Sequence, residues 1–311
     1  MKQNDKQRKW TSRSIGSRFQ HHVFYVLIKW GGRRCAYMLL YVVVFYYIFF
    51  RPSLRKKTSY YISRRFPQRK PLRKFLDSYR MGLELGKVLV DRAILGILGL
   101  EQMKVTLHGR ERLLELLNEG HGLILMLSHV GCWQVALSCL GFLNTPVNVL
   151  MHKEEGDVDK HYYEHKGMPN PYRIIDPDGY LGGVLDMIDI LKKREALCVM
   201  GDRVLGSEKN TVTLDFLGGK CRFPFSIFKI ASETNAPVAI VFSYKTGPAS
   251  YEIELATVVR VPGGLGRTGE HYSEHVAQFV RALESYTLKH PYQFFNFYDM
   301  WEPEDEHKTS L

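Results

Sequence analysis

The sequence predicts an α/β fold, a mixed β-sheet flanked by helices in a layered sandwich, with an N-terminal membrane-anchoring helix. Three observations predict it. Residues 122–128 (GLILMLS) and 196–200 (ALCVM) are short continuous apolar runs, the pattern of strands buried on both faces. Residues 180–194 place Leu181, Val184, Leu185, Ile188 and Leu191 at helical spacing and lead directly into the second run, a helix-to-strand unit of the kind that builds α/β layers. Residues 35–50 (CAYMLLYVVVFYYIFF) are sixteen residues without a charge, closed by Arg51 and Pro52.

The N-terminal region is basic as well as apolar. Residues 1–34 carry nine Lys or Arg against Asp5, and residues 51–76 carry ten against no acid. These two segments together carry +18, so with a net charge of +11 the rest of the chain sums to −7 and the basicity is local to this arm. Cations on both sides of an apolar run suit anionic lipid, each contributing on the order of 1 kcal/mol near the surface. Nucleic acid is disfavoured as a partner, because no nucleic-acid fold signature accompanies the cations. As a helix the run spans about 24 Å, short of the roughly 30 Å hydrocarbon core, so single-pass, re-entrant and interfacial placements are all open. A hairpin over residues 23–50 would keep both ends cytoplasmic. No small-residue cleavage site follows, which reads as an uncleaved anchor. The expected organisation is a basic arm with its membrane segment over residues 1–76 and a globular domain over 77–311.

In that domain, residues 81–100 read as a peripheral helix and residues 111–119 as a helix stopped by Gly120 and Gly122. A further helix is expected over 135–143. Residues 147–151, 237–243 and 251–256 supply strands, the last alternating as a half-exposed strand does. The five cysteines, Cys35, Cys132, Cys139, Cys198 and Cys221, form neither a disulfide framework nor a zinc spacing, as expected of a reducing compartment.

Two polar turns follow the two buried strands. The first, residues 128–134 (SHVGCWQ), puts His129 at a sheet edge; the second opens Gly201, Asp202 and Arg203. Ligands of open α/β sheets bind outside the carboxyl ends of strands, so the two turns are expected to share a crevice. Cys132 lies three residues from His129, but residues so spaced in a turn need not face each other, and it is not read as a nucleophile. Residues 151–167 crowd His152, His161 and His165 with acids without a zinc pattern. They read as a wall of an acceptor site, and neither a metal nor a bound cofactor is expected.

Taken together, His129 to Gln134, the GDR turn at 201–203, FLGGKCRFPFS at 216–226 and the aromatic tail YQFFNFYDMW at 292–301 resemble the lipid A late acyltransferases of the wider lysophospholipid acyltransferase superfamily. The resemblance covers most of the chain. It implies an acyltransferase-type sandwich and a membrane-bound enzyme on the cytoplasmic side of the inner membrane. The reaction implied moves a fatty acyl group from acyl carrier protein or acyl-coenzyme A to a lipid or glycolipid hydroxyl, with His129 as general base. The family's acid five positions after the histidine is Gln134 here. Either Gln134 orients the imidazole or another carboxylate substitutes. Arg203 is expected to hold phosphate through its bidentate fork, with Asp202, Gly201, Ser128 and Trp133 as further substrate contacts. Two other outcomes remain open: a lysophospholipid acceptor, or a catalytically silent lipid-binding protein of the same fold.

Overall fold

The computed structural model describes residues 18–152, 172–178, 183–204 and 208–302. Three helices come first, α1 (Arg18–Phe50), α2 (Pro52–Arg65) and α3 (Pro71–Leu98). Proline opens the second and third, where its fixed φ suits the first turn and its missing N–H costs nothing. The α/β body follows as β1 (Lys104–His108), α4 (Arg110–Asn118), β2 (Leu123–Leu127), α5 (Trp133–Ser138), β3 (Val147–Leu150), β4 (Arg173–Ile175), α6 (Val184–Lys192), β5 (Ala196–Met200), β6 (Thr211–Phe216), β7 (Gly219–Pro224), α7 (Ser226–Thr234), β8 (Val238–Lys245), β9 (Ser250–Val259) and α8 (Ser273–Lys289).

Seven strands form one mixed sheet in the order β1-β9-β8-β2-β5-β3-β4, parallel throughout except for the antiparallel β8–β9 pair. β2 lies inside it, and all five of its residues are buried. Leu123, Leu125 and Leu127 pack toward α4 and α5; Ile124 and Met126 pack toward α6, α7 and α8. Burial on both faces is why this strand reads as an unbroken apolar run rather than an alternating one. β6 and β7 form a separate hairpin. Its two-residue turn has positive φ at both Leu217 (50°) and Gly218 (73°), the pattern that matches strand twist in tight hairpins.

The apolar strands fall where the sequence puts them, but the helix expected over 135–143 begins at Trp133 and ends at Ser138, after which Leu140–Leu143 tightens into a 3-10 turn. The helix expected from residue 81 starts ten residues earlier, at Pro71, so residue 76, the expected end of the arm, falls inside α3. Tyr61 and Ile62 of α2 lie in the main core with the sheet.

The helix His22–Phe50 is long and apolar enough to cross a membrane by length and composition. It is interrupted at Gly32, whose φ of 67° and ψ of −169° lie outside the helical region. Beyond the break, Ala36, Leu40, Val44 and Ile48 recur every fourth residue as a buried stripe, and α1 packs on α3. Gly82 and Gly86 of α3 admit Val44 and Leu40; a Cβ on Gly86 would stand 2.5 Å from Leu40 Cδ1. Met38, Tyr41, Val42, Phe45, Tyr46, Phe49 and Phe50 remain exposed.

A buried carboxylate fastens this layer to the sheet. Asp91 of α3 accepts from Arg33 Nε (3.0 Å) and Tyr37 Oη (2.9 Å) of α1, and from Lys245 Nζ (2.5 Å) and Tyr251 Oη (2.5 Å) of β8 and β9. Removing one partner of a buried charge cluster strands the others, at a cost of about 3–5 kcal/mol. Asp91→Ala is therefore expected to lower the melting temperature of detergent-solubilised protein markedly. An unchanged melting temperature would show that the cluster does not hold the layers together.

Candidate active site

β2 and β5 are parallel neighbours, with Leu127 paired to Met200. Their carboxyl ends release the chain side by side, and the Gly201 N–H still reaches back to the Leu127 carbonyl (2.9 Å). The two polar turns thus meet, as the strand order requires. His129 Nδ1 lies 2.9 Å from Asp202 Oδ1 and 3.1 Å from Oδ2, and the His129 backbone N–H donates to Oδ2 (3.2 Å). Asp202 thus holds both the ring and its backbone.

Burial and charge set the protonation states. The Asp202 side chain is fully buried while 23% of the His129 side chain remains exposed. Burial alone would raise the Asp202 carboxyl, but the neighbouring His129 and Arg203 outweigh it and hold it below the ordinary carboxylate range. Burial lowers the His129 pKa; Asp202 opposes that shift and Arg203 reinforces it. The stable state at neutral pH is an ionised Asp202 beside a neutral imidazole. An ionised carboxylate only accepts, so Nδ1 carries the proton and Nε2 the lone pair. A base with a depressed pKa keeps its deprotonated form into mildly acid solution and loses it as pH falls through that pKa. The acid limb of a kcat/KM profile is therefore expected to have its midpoint below 6.5, the ordinary histidine value. A midpoint at or above 6.5 would contradict this electrostatic reading.

Gln134 lies on α5, 3% exposed, and its Oε1 accepts from the Cys132 thiol at 3.8 Å. The sequence reading gave the imidazole's second nitrogen to Gln134 or to another carboxylate; the carboxylate found beside Nδ1 is that of Asp202. Asp202, expected as a substrate contact, has its carboxylate committed to His129. Arg203 is 6% exposed, donates from Nη2 to the Phe295 carbonyl (3.0 Å), and stands 6.0 Å from the Tyr298 ring centre. Ser128 is 1% exposed, and its hydroxyl has no partner among the described residues. Gly201 is a close-packing residue, since a Cβ there would stand 2.9 Å from Met126 Sδ and 3.0 Å from Phe279 Cζ. Trp133 opens α5, half-buried against the α4 side of the sheet. Cys132 is fully buried, its backbone N–H bonded to Ser243 Oγ (3.0 Å).

The aromatic tail reaches this site, although the sequence reading gave it no site role. Phe295 N–H donates to the His129 carbonyl (2.8 Å), Gly131 N–H donates to the Gln293 carbonyl (3.0 Å), and Val130 bridges Phe294 in antiparallel fashion. His161 and His165 lie outside the described residues. His152 with Asp176 and Asp178 could hold a cation, all three being exposed, and His152 Nδ1 lies 2.9 Å from Asp178 Oδ2.

The family model for bacterial lipid A biosynthesis acyltransferases matches residues 100–302, which include every residue of this site. The chain belongs to that family. No curated protein matches this acyltransferase. Among solved structures it is similar to the 1-acyl-sn-glycerophosphate (LPA) acyltransferase, PlsC, from Thermotoga maritima, at 14% identity over 83% of this chain and 98% of that one, with a TM-score of 0.38.

Proposed function

We propose that this acyltransferase moves a fatty acyl group from the thioester of acyl carrier protein or coenzyme A to a hydroxyl of a lipid A-type glycolipid or related lipid, with His129 as general base. The observation that carries the reading is the His129 Nδ1 lying 2.9 Å from the buried Asp202 carboxylate, an arrangement that directs the ring proton to Nδ1 and leaves the lone pair on Nε2. Nε2 takes the proton of the acceptor hydroxyl as that oxygen bonds to the thioester carbonyl carbon. The tetrahedral intermediate then collapses, the C–S bond breaks, and the proton on Nε2 passes to the departing thiolate. Asp202 stabilises the transient imidazolium. Arg203, a buried cation beside the pair, favours negative charge developing on the carbonyl oxygen; held to the tail through Nη2, it serves better as a source of field than as an exposed phosphate clamp. Gln134 supports the turn from α5.

The proposed location is the cytoplasmic side of the inner membrane, and the exposed apolar face of α1 supports seating on a membrane. Leu72 and Leu76 of α3 are also exposed, as are Arg51, Lys56, Lys57, Lys70 and Arg73. This arrangement favours interfacial seating: the stripe facing α3 is already occupied, leaving one apolar side for lipid.

The test compares, by mass spectrometry, the lipids of host membranes containing equal amounts of wild type and His129→Ala. A species heavier by one acyl chain with the wild type alone would support the reading and identify the acceptor, separating a glycolipid from a lysophospholipid. Identical profiles, with the purified protein inert toward both thioesters, would favour the silent lipid-binding alternative.

A further inference from the structure

We propose that Gln293 is a positioning residue for the catalytic turn, fixing His129 and Arg203 relative to the end of β8 without touching a reacting atom. The inference rests on His129 being the base. Residues 128–132 leave β2 without a strand partner of their own, and their backbone is gripped from the tail: Gly131 N–H on the Gln293 carbonyl at 3.0 Å, and Phe295 N–H on the His129 carbonyl at 2.8 Å. The other face of that tail segment is also committed. Gln293 Oε1 accepts from Lys245 N (2.7 Å) and Gln293 Nε2 donates to Lys245 O (2.9 Å). The side-chain amide thus does the work of a peptide group, extending the β8 edge by one paired position. The Phe295 carbonyl in turn accepts from Arg203 Nη2 at 3.0 Å.

Three consecutive residues therefore hold the end of β8, the turn carrying the base and the buried cation in one frame. β8 is itself buried in the sheet and its Lys245 ammonium is bound to Asp91, so the frame is anchored at its far side. Gln293 is 9% exposed, and both ends of its amide are used. The primary amide satisfies both the N–H and the C=O of one backbone residue at this reach, whereas leucine offers neither bond and an ionised glutamate accepts from the N–H but faces the carbonyl with a second acceptor.

The test uses full-length protein in detergent, with rates normalised to the folded fraction. Gln293→Leu is expected to lower kcat about 10- to 100-fold with KM for the thioester within twofold, because a displacement near 1 Å at a reacting group costs up to about 10²-fold. Gln293→Glu is the second variant. Its protonated form regains both bonds, so its activity relative to wild type should rise as pH is lowered, against the falling wild-type rate as His129 protonates. A purely structural residue would change the folded fraction and leave kcat per folded molecule and this ratio flat. Wild-type kcat in Gln293→Leu, or a flat ratio in Gln293→Glu, would overturn the inference while an inactive His129→Ala leaves the base assignment intact. An active His129→Ala would remove both.

Discussion

Replacing Asp202 by asparagine is expected to lower kcat/KM by about 10²- to 10⁴-fold per folded molecule, the upper figure being the cost of a misheld tautomer in a serine protease triad. The size follows from what the carboxylate does. Its Oδ2 receives the His129 backbone N–H at 3.2 Å while the same carboxylate receives the ring N–H at 2.9 and 3.1 Å, so all its bonds to His129 are accepted ones. Asparagine has one accepting atom. If that oxygen keeps the backbone N–H, the NH₂ group faces Nδ1, the ring proton moves to Nε2, and Nε2 can no longer take a proton. If the amide flips, the ring is held but the backbone contact becomes a clash of donors. The negative charge that stabilises the imidazolium is lost in both cases, which moves the acid limb of any residual activity to lower pH. Thiol release measured across pH for Asp202→Asn and Gln134→Ala separates the candidates. A severe Asp202 variant beside a mild Gln134 variant supports the present assignment, whereas the reverse order would return the ring-orienting role to Gln134.

The contrast between those two residues also shows what sequence reading reaches. β2 and β5 are legible because burial on both faces leaves an unbroken apolar run, and the rule that ligands gather at strand carboxyl ends then brings His129 and the GDR turn to one crevice. Pairing within the crevice is less legible. Gln134 is five residues from His129 and Asp202 is 73, yet neighbouring strands close the larger gap, and only the strand order reveals it. The edge strands β1 and β4 are short and partly exposed, so they lack the apolar run that marks the central strands. The tail contacts are made chiefly by backbone atoms of Gln293 and Phe295, which leave no signature in side-chain chemistry. The aromatic character of residues 292–301 signals burial, and Phe294 and Trp301 do lie in the main core, but it does not signal which turn the segment grips.

The turn's own backbone sets the second large expectation. Gly131 has φ of +50°, a region that costs an L-residue roughly 1–2 kcal/mol. Conformation is the smaller part of its constraint. A Cβ on Gly131 would stand 2.0 Å from the Ser243 carbonyl oxygen and 2.6 Å from its carbon, both backbone atoms of β8. That carbonyl also accepts from Tyr286 Oη at 3.0 Å, and Ser243 is paired with Ile253 of β9, so β8 is poorly able to yield there. The turn must move instead, by about an ångström to restore ordinary contact, and His129 moves with it. Gly131→Ala is therefore expected to lose at least about 10²-fold in kcat and several kcal/mol of stability. Gly141→Ala is the matched control: Gly141 lies in the 3-10 turn beyond α5, with nothing within 4 Å of where its Cβ would go, and should keep wild-type rate and melting temperature. Equal rates for the two variants would mean that the approach of the His129 turn to β8 does not determine where the proposed base stands.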